Sequence, residues 1–215
     1  MNYTELKTAV EDTTENTFSA TDFANLTKLS EQRIYNSVQL PALRKNVTGT
    51  LTQGTPYLSA PTDFLSVFSL AVISGGEYSF LLNKDVNFIR ESFPSASTQG
   101  VPKYYALFGP DSANPDELTF ILGPTPSAAL TAELHYFYYP VSIVTAGTSW
   151  LGDNFDSVLF NAVMVEASRF MKQEQDIIAM MDKEYAQSLT LLKNLGDGKQ
   201  RQDAYRSGQV RTKVI

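Results

Sequence analysis

The 215-residue sequence has no cysteine, which excludes disulfides, thiolate metal sites and cysteine nucleophiles. Histidine is nearly missing too. His135 stands alone, so a Ser-His-Asp triad or a multi-histidine zinc site would have to be built around one residue. A hydrolase or metalloenzyme is therefore not expected, and no catalytic residue, metal ligand or cofactor is assigned. Long apolar runs are lacking as well: the longest, Phe64 to Ile73, is ten residues and includes Ser66 and Ser69, against roughly 20 needed to span a bilayer. No membrane contact is expected. Met1-Asn2-Tyr3-Thr4-Glu5 has no basic stretch leading into an apolar one, so the expectation is synthesis in the cytosol without a secretory signal. Phosphate-cradling loops are missing: Gly75-Gly76 and Gly196-Asp197-Gly198 are short and lead into neither Lys-Ser nor Lys-Thr, which leaves turn and helix-end readings.

What is present is an ordinary folding composition, 43% hydrophobic with 13 Phe and 11 Tyr, well outside the range of disordered chains. Charge is unevenly placed. Residues 196–215 hold Lys199, Arg201, Arg206, Arg211 and Lys213 against Asp197 and Asp203, a local +3, so the other 195 residues carry −9 of the total −6. An acidic body does not suit nonspecific nucleic-acid binding, which needs clustered cations to neutralise phosphates.

Apolar spacing predicts a short helix from Thr4 to about Asp12 through Leu6, Ala9 and Val10. A second helix, capped at Ser19 with Asp22 three residues on, runs to about Val38, with Phe23, Leu26, Ile34 and Val38 on its apolar face, Ser30 and Ser37 inside the stripe and Arg33 on its flank. From about Leu43 to Trp150 the pattern becomes that of strands: Leu65–Ile73, Glu77–Leu82, Glu117–Leu122 and Ala132–Tyr139, with a hairpin turn at Ser74-Gly75-Gly76 and a short helix near Lys84–Glu91. In the last strand Leu134, Tyr136 and Tyr138 share one face, and Glu133, His135 and Phe137 the other. Helices return with a cap at Asp153 and a stripe of Leu159, Ala162, Val163, Glu166 and Phe170, followed by a long helix from Glu174 to Leu195 that Gly196 would end. The expected architecture is α+β: a discontinuous four-helix bundle from both chain ends (1–42 and 151–198), an inserted antiparallel β module (43–150) and an extended C-terminal tail (199–215).

Three constellations could carry function. His135 and Glu133 share a strand face and could do acid–base work, although a solvated or interface face explains them more simply. Asp153 and Asp156 could be read as metal ligands or as the acid pair of a glycosidase, but their place before an apolar run favours helix capping. Arg33 and Glu166 each lie at or beside an apolar helix stripe, where an unpaired charge is costly, so they are expected to meet as a structural ion pair fixing helix register; the alternative is that both reach solvent. The tail, with Arg201, Tyr205, Arg206, Arg211 and an apolar Val214-Ile215 end, could be a solvated terminus, a nucleic-acid contact, or a segment ordering on a protein partner. The apolar end favours the last.

Leu29-Ser30-Glu31-Gln32-Arg33-Ile34, Gly100-Val101-Pro102-Lys103-Tyr104-Tyr105, Leu122-Gly123-Pro124-Thr125-Pro126, Tyr136-Phe137-Tyr138-Tyr139-Pro140, Thr148-Ser149-Trp150-Leu151 and Arg201-Gln202-Asp203-Ala204-Tyr205-Arg206 follow one another along the chain. This succession resembles the head-to-tail adaptor, or connector, proteins of tailed bacteriophages, particularly those of short-tailed phages. The resemblance implies a structural protein of the virion neck, not an enzyme. It implies a ring, usually of twelve copies, between the portal protein and the tail nozzle or tail fibre proteins, with genomic DNA passing through the lumen without sequence-specific binding. It also implies that the C-terminal segment, here Arg201, Tyr205, Arg206, Arg211, Val214 and Ile215, reaches the portal or a neighbouring subunit. A tail tube or nozzle component is the second structural alternative, and a virion-associated muramidase the enzymatic one, for which no motif is present.

Overall fold

The computed structural model describes residues 1–95, 97–109 and 118–201, the last six of these through the backbone alone. The chain divides into two compact units, Met1–Leu43 with Pro140–Ile215, and Arg44–Tyr139. Residues 140–150, expected in the inserted module, group with the helices.

The helical unit is made of α1 (Tyr3–Thr14), α2 (Ala20–Ser37), α4 (Ile143–Ala146), α5 (Trp150–Asn154), α6 (Asp156–Phe170) and α7 (Gln175–Arg201), while α3 (Val86–Ser92) belongs to the other unit. The cap of helix α1 is Asn2, two residues before the expected Thr4, because Asn2 and Glu5 form a reciprocal capping box: each side chain accepts the other's backbone N–H at 2.9 Å. Helix α2 is capped as its sequence dictates, with Ser19 Oγ accepting the Asp22 N–H at 3.1 Å. The hydroxyls in its apolar stripe are satisfied within the helix. Thr27 and Ser30, both buried, donate to the carbonyls of Phe23 (2.8 Å) and Leu26 (2.9 Å).

Helix α6 departs from the expected single stripe. Val158, Leu159, Ala162, Val163, Met164, Val165 and Ala167 are all buried, because α6 packs against α1, α2, α5 and α7 and is covered on several sides. One core thereby joins Leu6, Phe23 and Ile34 near the start of the chain to Leu159, Tyr185 and Leu192 near its end.

Two helix boundaries correct the sequence expectation. Asp153 is not the cap of α6; it lies inside α5, whose cap is Ser149, accepting the Gly152 N–H at 3.1 Å. The chain then turns at Phe155, which precedes α6 without a side-chain cap bond and stacks on Trp150 at 6.1 Å, so aromatic packing rather than a carboxylate sets this corner. Gly196 does not end α7, which continues through Gly198 to Arg201. Residues 199–201 of the expected extended tail are thus helical.

The second unit holds β1 (Arg44–Leu51), β2 (Tyr57–Ser59), β3 (Ser66–Ser74), β4 (Glu77–Phe80), β5 (Leu82–Asn83), α3 (Val86–Ser92), β6 (Gln99–Gly100), β7 (Tyr104–Phe108), β8 (Thr119–Gly123), β9 (Thr125–Pro126) and β10 (Leu130–Phe137). One sheet has the order β1-β10-β3-β4, antiparallel throughout, and a second has the order β2-β8-β7-β5. The module is not wholly antiparallel, since β5 pairs with β7, and β6 with β9, in parallel. Gly75 (φ 60°) and Gly76 (φ 85°) supply the left-handed pair that the two-residue hairpin between β3 and β4 requires. The expected strand Glu77–Leu82 is broken at Leu81: this buried residue donates its N–H to Leu70 in the first sheet, and Leu82 donates to Lys103 beside the second. The chain changes sheets there. Leu70, Val72, Leu134 and Tyr136 from the first sheet share a core with Tyr105, Phe120 and Leu122 from the second.

Candidate partner-binding surfaces

Arg33 on α2 and Glu166 on α6 form an ion pair. Arg169, one turn along α6, extends it, with Nη1 3.5 Å from Glu166 Oε1 and Nη2 donating to both carboxylate oxygens of Asp182 on α7 at 3.0 and 3.1 Å. The chain of charges thus ties three helices. Its members sit at the surface rather than in the core, with Glu166 the most covered and Arg169 and Asp182 substantially exposed. Exposed pairs of this kind contribute at most about 1 kcal/mol each, so the network adds little net stability. Sequence spacing missed Arg169 and Asp182. The first was legible as the i+3 neighbour of Glu166; the second depends on how α7 folds back.

Glu31 is the charged residue that periodicity should have singled out. It falls four residues after buried Thr27 and three before buried Ile34, and is itself only 2% exposed. Its carboxylate accepts the backbone N–H of Ile143 at 2.9 Å, holding the first turn of α4 against α2. Burial pushes the Glu31 carboxyl above its usual range, against the opposing pull of the Ile143 N–H, Ser142 and Lys28. This arrangement organises the structure; it presents no group to a substrate.

In the β unit, alternation places Leu134 and Tyr136 of β10 inward and Glu133, His135 and Phe137 on the opposite face. His135 Nε2 lies 3.7 Å from Glu133 Oε1, its Nδ1 is 3.3 Å from Ser69 Oγ, and Asn46 donates to Glu133 at 3.4 Å. This is a polar strip across an open sheet face. Arg44 lies over Phe68 and Phe137, 4.7 and 5.4 Å from their ring centres. Phe68, Tyr78 and Phe80 are 55%, 56% and 66% exposed, so aromatic surface faces solvent near both edges of the first sheet. Underneath, Tyr136 donates to Asp63 (2.8 Å), as does Lys45 (2.8 Å). These partners, Lys45 foremost, hold the Asp63 carboxyl below its usual range.

Among the described residues no cluster of His, Asp and Glu could hold a metal ion, and Asp153 and Asp156 belong to two successive helices. No described helix is long and apolar enough to cross a membrane. Of the residues expected to bind a partner, Arg201 ends α7, and Tyr205, Arg206, Arg211, Val214 and Ile215 lie outside the described residues. The chain matches the family model of the SU10 adaptor protein over residues 1–213. It belongs to the SU10 adaptor protein family. No curated protein matches it. Membership in this family makes the chain a phage adaptor, a structural class, here folded as two compact units.

Proposed function

We propose that this adaptor is the head-to-tail connector of a tailed phage, forming a ring of twelve copies at the virion neck between the portal protein and the tail nozzle or fibre proteins. The observation that carries this reading is the match to an adaptor family over essentially the whole chain, 1–213. In this reading the helices that share one core, from residues 1–42 and 151–198, form a four-helix bundle that packs side by side around the ring. The module inserted between them, Arg44–Tyr139, meets tail components. The acidic body suits a lumen through which DNA slides, since like charge discourages phosphate contacts.

The C-terminal segment supplies the attachment. Arg201, Tyr205, Arg206 and Arg211 offer cationic and aromatic contacts, and Val214-Ile215 an apolar plug, to the portal or to a neighbouring subunit. A segment that orders only on binding loses conformational entropy at that step, which makes assembly sequential. Removing residues 200–215 should weaken capture by purified portal protein at least tenfold and leave the thermal melt of the chain unchanged. Undiminished capture would remove the segment from the attachment. Capture by the nozzle proteins but not by the portal would move the chain down the tail.

A further inference from the structure

The first β sheet has two open edges of opposite character. At one edge, β1 is exposed over residues 45–50, contains Arg44 and Lys45 and has no acidic residue. At the other, β4 is exposed at all four positions and opens with Glu77. Among the described residues Arg44 has no ion-pair partner, and neither has Glu77. Neither β4 nor β1 contains a proline, one of the devices that keep an exposed edge from pairing with another chain.

The order β1-β10-β3-β4 is antiparallel at every step, so β1 and β4 run in opposite directions. A β1 strand from a second copy laid beside β4 would therefore continue the antiparallel ladder without reversal. The faces agree as well. Phe80 aligns through Ala71 with Glu133, on the face that carries His135 and, opposite Phe137, Arg44.

We propose that copies of this chain join edge to edge, β4 of one against β1 of the next, in a single sheet that runs across the subunit boundary. In the register that places Phe80 opposite Arg44 and Tyr78 opposite Asn46, Phe80 extends the aromatic surround of Arg44, and Glu77 falls diagonal to Lys45, whose ammonium it would share with Asp63. The contact is heterologous: each copy uses one edge to receive and the other to donate, the type of interface that builds rings when it closes. This inference rests on the ring reading above and gives that ring its seam.

The absence of cysteine makes the test clean. In the full chain, Asn46→Cys and Tyr78→Cys together should give a ladder of multimers with a short bis-maleimide, whose reach covers direct and diagonal neighbours. Either substitution alone should give none, and a mixture of the two single variants should stop at dimers. Assembly is followed in parallel by sedimentation, alone and with the portal protein from the same genome. Rings without a ladder would overturn edge pairing and leave the ring intact. A ladder of dimers from Tyr78→Cys alone would overturn it too, by revealing a two-fold contact between β4 strands. A chain that forms no assembly in either condition would sink the ring reading and this seam with it. As a second arm, Glu77→Lys with Phe80→Lys should weaken self-association at least tenfold while the thermal melt stays in place. Unweakened association in that variant would contradict the proposal.

Discussion

The two units bury their charges in opposite ways. In the helical unit a carboxylate, Glu31, is pressed into the core beside an apolar stripe and satisfied by a backbone N–H, and burial raises its proton affinity. In the β unit a carboxylate, Asp63, sits at the rim and is gripped by an ammonium and a phenol, which lower its proton affinity. Their surfaces differ in the same sense. The helical unit covers α6 on several sides, whereas the first sheet of the β unit leaves Phe68, Tyr78 and Phe80 in solvent. The helices also leave apolar side chains in solvent, chiefly aliphatic ones at Leu29, Met180 and Leu191, so what sets the β unit apart is that its exposed apolar surface is mainly aromatic and borders an open strand edge.

The largest expected effect separates core from surface. Leu159→Ala in α6 removes a fully buried side chain and should cost about 2–5 kcal/mol in chemical denaturation. Phe80→Ser, which touches no core, should stay within about 0.5 kcal/mol in the isolated chain. Equal losses would erase the distinction between buried core and exposed sheet edge.

Glu31→Ala should follow at about 1–3 kcal/mol, because it leaves the Ile143 N–H buried without an acceptor. Glu31 also sets a pH dependence. Its folded proton affinity exceeds its unfolded one, so its contribution is full below the ordinary carboxylate pKa and is lost as pH rises through the raised folded value. Wild-type stability should therefore fall relative to Glu31→Gln across that interval, as read from melts at stepped pH.

Asp63 gives the mirror image. Its folded proton affinity is lowered, so its contribution is present above the ordinary carboxylate pKa and is lost as pH falls through the lowered folded value. Tyr136→Phe removes one of its hydrogen bonds and should cost about 1 kcal/mol near neutral pH, with the loss shrinking in acid. Smallest of all, a double-mutant cycle on Arg33 and Glu166 should return a coupling below about 1 kcal/mol, reduced further by salt. A coupling of several kcal/mol would mean the pair supports the core rather than helix register.

Legibility in the sequence followed the strength of local chemistry. The Ser19 cap, the Gly75-Gly76 turn and the alternating faces of β10 depend on neighbours in the chain, and all three are where spacing put them. Strand β1 carries no such signal: Arg-Lys-Asn-Val-Thr-Gly-Thr lies at an edge, buries almost nothing, and so shows no apolar alternation. Asp153 looked like a cap because carboxylates before an apolar run usually are, yet the stacking of Phe155 on Trp150 inserts a separate short helix. Gly196 looked like an ending, but α7 continues through it. Arg33 and Glu166 could be matched because both were charges beside apolar stripes. Glu31 was legible as a charge within an apolar stripe, but its partner was not, since that partner is a backbone N–H 112 residues away that no side-chain pattern announces.

The proposed role is that of a neck adaptor that assembles in many copies on the portal. Sedimentation of the full chain mixed with the portal protein encoded by the same genome, with particle images of the product, tests it most directly. That role predicts a single heavy complex in which a ring of this chain caps the portal. A chain that sediments as a monomer beside free portal would contradict it.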